Sequence, residues 1–217
     1  MEKFLILVEG KADAPFIRDY LIFLNSNLTI SLNNQKNKEL SNDDLFIKII
    51  VTGGKNISNA IKKKMQEHHD SNYKIIIIQD ADNPQKDPIS GGKELRLKYF
   101  EKIKNELKFD FKIFLFPNNE NEGDLEKLLL KIINKNKFKK AFDCYKQYVD
   151  CSKEFCDIDC SELLEDKRLI FNYFRTYYGI ERAKEEERSY KIVDWEFSNV
   201  YLSPLEVFLN SNISKKN

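Results

Sequence analysis

The chain has 217 residues with 36 basic and 35 acidic side chains, and its net charge of +1 excludes a uniformly basic nucleic-acid coat and a uniformly acidic tail. A hydrophobic share of 41% with 12% aromatics supplies a real core and excludes a disordered chain. The longest apolar runs, such as Ile75–Ile78, stop far short of the ~20 residues a membrane-spanning helix needs, and nothing after Met1 reads as a signal peptide. A cytoplasmic protein with no membrane partner is expected.

In chain order, Lys3–Val8 is a short apolar strand, and Ala12–Leu24 carries Phe16, Tyr20, Phe23 and Leu24 at helical spacing. Leu28–Leu32 and Leu45–Val51 read as strands, a candidate hairpin across the polar stretch Asn33–Asp44. Gly53-Gly54 breaks the chain before a helix over about 57–69. Ile75–Gln79 is the most buried-looking strand. Pro84, Pro88, Gly91 and Gly92 punctuate the loop after it, and a helix covers 93–107. A strand over Phe111–Phe116 ends at Pro117, and a helix follows over 124–134. Strands alternating with helices predict a mostly parallel sheet flanked by helices, an α/β domain over residues 1–134. From Lys135 the strand pattern stops, and helical periods over 138–149, 161–178 and 203–210 predict a helical extension, 135–217, packed on that domain.

Acidic residues recur where parallel sheets place active sites, outside the carboxyl ends of strands. Glu9 ends the first strand, and Asp13 falls in the first turn of the helix after it. Asp80-Ala81-Asp82 follows Ile75–Gln79, where residues two apart share a face of an extended chain and present two carboxylates to one hard cation. Glu126 lies in a helical first turn after Gly123-Asp124. Taken singly, Asp13 or Glu126 is more simply a solvated cap. Together the acids would cost several kcal/mol per charge if buried without cations, so a divalent metal is expected.

These residues carry a family resemblance. Leu5-Ile6-Leu7-Val8-Glu9-Gly10-Lys11-Ala12-Asp13 with Ile77-Ile78-Gln79-Asp80-Ala81-Asp82 resembles the Toprim domain of topoisomerases, primases and related nucleases. Gly53-Gly54, Gly123-Asp124-Leu125-Glu126-Lys127-Leu128-Leu129 and Val193-Asp194-Trp195-Glu196-Phe197 with Leu202-Ser203-Pro204-Leu205 resemble a small branch of that superfamily near the overcoming-lysogenization-defect nucleases. The resemblance implies a Toprim-like fold and Mg²⁺- or Mn²⁺-dependent phosphoryl transfer on DNA or RNA. It implies Glu9 as general acid/base or metal ligand, Asp80 and Asp82 as metal ligands, and Asp13 with Glu126 completing a second cation site. Lys11 would neutralise a phosphate, and a homodimer or a partner protein are candidate partners. The chain departs from the pattern after Asp82, where Asn83-Pro84 stands in place of a nearby glycine. No characteristic tyrosine motif supports strand passage, and no helicase or zinc-ribbon portion supports a full primase.

Gly53-Gly54-Lys55-Asn56 lacks the spacing of a nucleotide-binding P-loop, and Gly54 and Lys55 are instead candidate phosphate contacts. Cys144, Cys151, Cys156 and Cys160 are spaced 7, 5 and 4 apart, which is not a paired zinc pattern, so buried reduced thiols are expected and a zinc-stabilised interaction protein is a third reading. His68-His69 read as surface residues. Phe171, Tyr173, Phe174, Tyr177, Tyr178 and Trp195 are expected in the core rather than stacked on bases. Between catalysis and the alternative of a non-catalytic metal-bridged nucleic-acid or nucleotide-binding module, such as a component of an anti-phage or regulatory system, the acids favour a nuclease or nicking enzyme.

Overall fold

Four consecutive isoleucines, Ile75–Ile78, put an apolar side chain on both faces of whatever strand they form, and such a strand is stable only when covered on both sides. In the computed structural model, which describes residues 1–30, 38–85, 87–154, 165–190 and 194–213, they lie in β5 (Tyr73–Asp80). The other strands are β1 (Glu2–Val8), β2 (Thr29–Ile30), β3 (Lys38–Ser41), β4 (Leu45–Val51) and β6 (Lys112–Phe116). They form one sheet in the order β2-β3-β4-β1-β5-β6. β1 pairs in parallel with β4 and β5, and β5 with β6, whereas β2 and β3 add an antiparallel edge.

Side-chain alternation divides the sheet between two cores. Phe4, Ile6, Val8, Ile76 and Ile78 meet α1 (Asp13–Leu24), α4 (Leu125–Ile132), α6 (Asp166–Tyr178) and α8 (Ser203–Ile213). Leu5, Leu7, Ile75 and Ile77 meet α2 (Asn59–Asp70) and α3 (Lys93–Leu107) on the other face. The expected mixed α/β fold with a mostly parallel sheet is therefore what the chain forms. α5 (Lys135–Lys153) and the single turn α7 (Ile180–Ala183) complete the α-helices of the described residues, with short 3-10 turns at Glu185–Glu187 and Val200–Leu202.

The candidate hairpin is corrected. Its partners are β3 and β4, with Leu40 opposite Ile47, and β3 separates Thr29–Ile30 from β4. β3 has one large apolar residue, the fully buried Leu40, too few for alternation to mark a strand. Asn42 forms its turn, its Oδ1 accepting from the N–H groups of Asp44 at 3.0 Å and Leu45 at 2.9 Å.

The second half joins the first core rather than resting on its surface. Trp195 is fully buried against Phe174, Tyr173 and Tyr190, and pairs by backbone with Ile133. Tyr190 N–H donates to Asp19 Oδ2 at 2.7 Å. Two sequence expectations fail here. Phe171 and Tyr177 remain 39% exposed, because the buried face of α6 runs through Leu169, Ile170, Tyr173 and Phe174. Cys144 and Cys151 are exposed, since α5 packs through Phe138, Ala141 and Val149; Cys156 and Cys160 lie outside the described residues.

Candidate functional site

Parallel pairing places the carboxyl ends of β4, β1, β5 and β6 along one edge, and backbone hydrogen bonds hold the chain that leaves them in a row. The N–H groups of Thr52 and Gly53 donate to the carbonyls of Val8 at 2.8 Å and Glu9 at 3.1 Å. Ala81 N–H donates to the Phe116 carbonyl at 3.1 Å, and Asp82 and Gly123 exchange two bonds of 2.8 and 3.1 Å. Residues distant in sequence are thereby brought side by side: Glu9, Gly53-Gly54, Asp80, Asp82 and the start of α4.

Asp13 and Glu126 are buried, not the solvated caps that each would be alone. Asp13 Oδ2 accepts from Gly10 N–H at 2.8 Å. The cap of α4 is Asp124, which accepts from Lys127 N–H at 3.0 Å, so Glu126 is spared that task. Asp80, also buried, accepts at Oδ1 from Leu125 N–H at 3.0 Å, which aims the N-terminus of α4 at its carboxylate.

Burial is the largest influence on all these acids and disfavours their ionised forms. It pushes Asp13 up to about 7, opposed by the Gly10 N–H and reinforced by the charges of Glu126 and Glu9. Asp80 is raised well above the usual aspartate range by burial, then by Asp13, Glu9, Glu126 and Asp124. Burial raises Glu126 against the attraction of Lys167, and raises Glu9 with help from Asp82.

The acids influence one another along the edge in overlapping sets, with Glu9 and Asp80 common to both ends. Asp80 belongs with Asp13, Glu126 and Asp124, all of which act on Lys167 of α6. Asp82 raises Glu9, and Arg96 faces Glu9, Asp82 and, less strongly, Asp80. The extended chain assumed in reading Asp80-Ala81-Asp82 stops at Asp80: Asp82 has φ +60°, a left-handed turn that aspartate tolerates. Glu9 Oε2 and Asp82 Oδ2 are buried with no hydrogen-bond partner among the described residues.

The phosphate candidates lie around this edge. Gly53 and Gly54 have φ +80° and +150°, and a Cβ at either would meet nothing within 4 Å, so their backbone faces open space. Lys55 is ion-paired with Asp87. Lys11 is 63% exposed and lies 3.5 Å from Glu186, at the rim. A cavity of about 450 Å³ lined by Asp82, Asp124, Lys127 and Lys167 opens beside the acids.

Sequence reading missed Arg96. It is buried in α3, donating through Nη2 to Gln79 Oε1 at 2.5 Å and to the Lys55 carbonyl, while Gln79 Nε2 donates to Thr52 Oγ1 at 3.3 Å. The network ties β4, β5 and the Gly53-Gly54 turn together beneath the acids. Its signal was an arginine four and seven residues before Phe100 and Ile103, on the apolar stripe of a helix. Lys167 carried no such signal, because only tertiary packing brings α6 over the acids.

Fold and site define an α/β protein with buried carboxylates along the carboxyl edge of parallel strands. The chain belongs to the family described as "Protein of unknown function (DUF3226)", whose model matches residues 3–210. No curated protein matches it. Among solved structures it is similar to the crystal structure of hypothetical protein PH0156 from Pyrococcus horikoshii OT3, at 15% identity and a TM-score of 0.52 over 98% of this chain and 96% of that one. That likeness is one of fold.

Proposed function

We propose that this protein is a Mg²⁺- or Mn²⁺-dependent enzyme of phosphoryl transfer on DNA or RNA, a nuclease or nicking enzyme of Toprim-like kind. The carrying observation is the gathering of buried Asp13, Asp80 and Glu126 with half-buried Glu9 at the strand ends, where burial and neighbouring acids raise all four. Acids so placed oppose folding unless protons or cations neutralise them.

The donor set is one of hard oxygens, with two buried carboxylate oxygens lacking partners, and this suits Mg²⁺ or Mn²⁺. Among the described residues no three acidic, histidine or cysteine side chains are already gathered in ligating positions, so the fit is one of chemistry and placement. Asp80, Asp13 and Glu126 would hold one ion, Asp82 with Glu9 a second. A bound ion supplies Lewis-acid stabilisation of phosphoryl oxygens and a more acidic water. Glu9, raised above the usual glutamate range by burial and by Asp82, would hold or accept a proton as general acid/base. Lys11 at the rim and the open backbone of Gly54 beside Lys55 receive phosphate.

The test is a cleavage panel of supercoiled, linear and single-stranded DNA and structured RNA with Mg²⁺ or Mn²⁺. Cleavage is expected, and it should vanish on chelation and in Asp80→Asn. Cleavage that survives both unchanged sinks the proposal. The ungathered acids favour one second reading, a non-catalytic metal-bridged nucleic-acid module. Metal-dependent binding without turnover on every substrate would select it.

A further inference from the structure

Tyr148 and Phe171 are large aromatic side chains left 62% and 39% exposed on α5 and α6. With Tyr145 they line a groove of about 460 Å³, within the range that holds a nucleotide-sized ligand. The rings of Tyr145 and Tyr148 are stacked at 26°, their centroids 6.1 Å apart. Four cationic side chains, Lys167, Arg168, Arg175 and Arg188, share the lining with two acidic ones, Glu126 and Glu185. Exposed ring faces offer stacking surfaces to unpaired bases, and an excess of cations follows a phosphate backbone. Duplex bases are already stacked on each other and cannot use such rings.

The groove is continuous with the acidic edge. Lys167 lines both the groove and the cavity beside Asp82 and Asp124, and Glu126 belongs to the groove and to the buried acids. We propose that the groove between α5 and α6 binds single-stranded nucleic acid, with bases stacked on Tyr148 and Phe171, and leads the strand toward the carboxylates. The destination of the strand rests on reading that edge as the phosphoryl-transfer site; the binding itself does not.

The experiment measures fluorescence anisotropy of the full chain in EDTA with a short labelled oligothymidylate, an abasic strand of equal length and a duplex. The oligothymidylate is expected to bind about tenfold tighter than the abasic strand, and Tyr148→Ala and Phe171→Ala should each weaken it about tenfold while leaving the abasic strand unaffected. Phe171→Leu, which keeps apolar packing without the ring, should behave as Phe171→Ala. Equal affinity for both strands, or unchanged affinity in all three variants, overturns the proposal by showing attraction to charge alone. No cleavage enters this assay. Base-dependent binding in a protein inactive on the cleavage panel keeps the groove and defeats the catalytic reading. Cleavage abolished in Asp80→Asn, with strand binding indifferent to the rings, does the reverse.

Discussion

Asp13 shows what a buried acid does to stability. Its carboxyl titrates at about 7 in the folded chain and near 4 when unfolded. Between those values the native state holds a proton that the unfolded chain has released, so stability falls as pH rises through this window. Asp80, Glu126 and Glu9 are raised too and add to the same slope. In EDTA the melting temperature should therefore decline from pH 5 to pH 8, and Asp13→Asn should flatten the decline and melt higher than wild type at pH 8. A variant profile parallel to wild type would remove Asp13 as a cause. Arg96 is the opposite case. Arg96→Met strands the Gln79 and Lys55 oxygens it now satisfies and removes the cation facing Glu9 and Asp82. A loss of about 3 kcal/mol is expected in urea unfolding, and Arg96→Lys should not restore it, because the planar guanidinium also lies over the rings of Tyr99 and Phe100, 5.1 Å from each centroid, where a strongly hydrated ammonium is a poor replacement.

At the scale of elements, α4 depends on Asp124, which accepts from Lys127 N–H and also repels the charges of Asp80 and Glu126. The two effects separate by substitution. Asp124→Asn keeps the cap and removes the repulsion, whereas Asp124→Ala loses both, so the alanine variant should be about 1 kcal/mol less stable than the asparagine variant in denaturant titrations at pH 8. Equal stabilities would show that the cap does not hold this helix. Elements of this kind were legible in sequence in proportion to their apolar periodicity. β1 and β5 were evident because every residue of their cores is apolar, and α3 occupies the expected span, 93–107, because Gly92 opens it and its stripe is regular. β3 was hidden because it is four residues long with one apolar anchor. The acids were legible as strand-end residues. Their surroundings were not, since these depend on the left-handed turn at Asp82 and on Lys167, which enters from a helix over forty residues beyond Glu126.

For the whole molecule, near-neutral net charge conceals a separation of charge. Five of the 35 acidic side chains form the strand-end constellation, leaving 30 against 36 basic ones elsewhere. The acids are confined to one edge of a fold whose two halves share a core, so any cation bound there stabilises the entire chain. Carboxylate ligands must give up their protons to bind a metal. Asp13 holds its proton up to about 7, and Asp80 is raised well above the usual range, so binding of Mg²⁺ or Mn²⁺ should expel protons at pH 6 and expel fewer at pH 9. Affinity should rise across the same interval, and the metal should raise the melting temperature more at pH 8 than at pH 6. Isothermal titration in two buffers of different ionisation enthalpy counts the protons directly. Asp80→Asn should lose both the binding and the pH-dependent gain in melting temperature. Binding at pH 6 with no proton release would mean that the ion is held away from these acids, and a melting temperature indifferent to the metal at pH 8 would mean that it is not held at this edge at all.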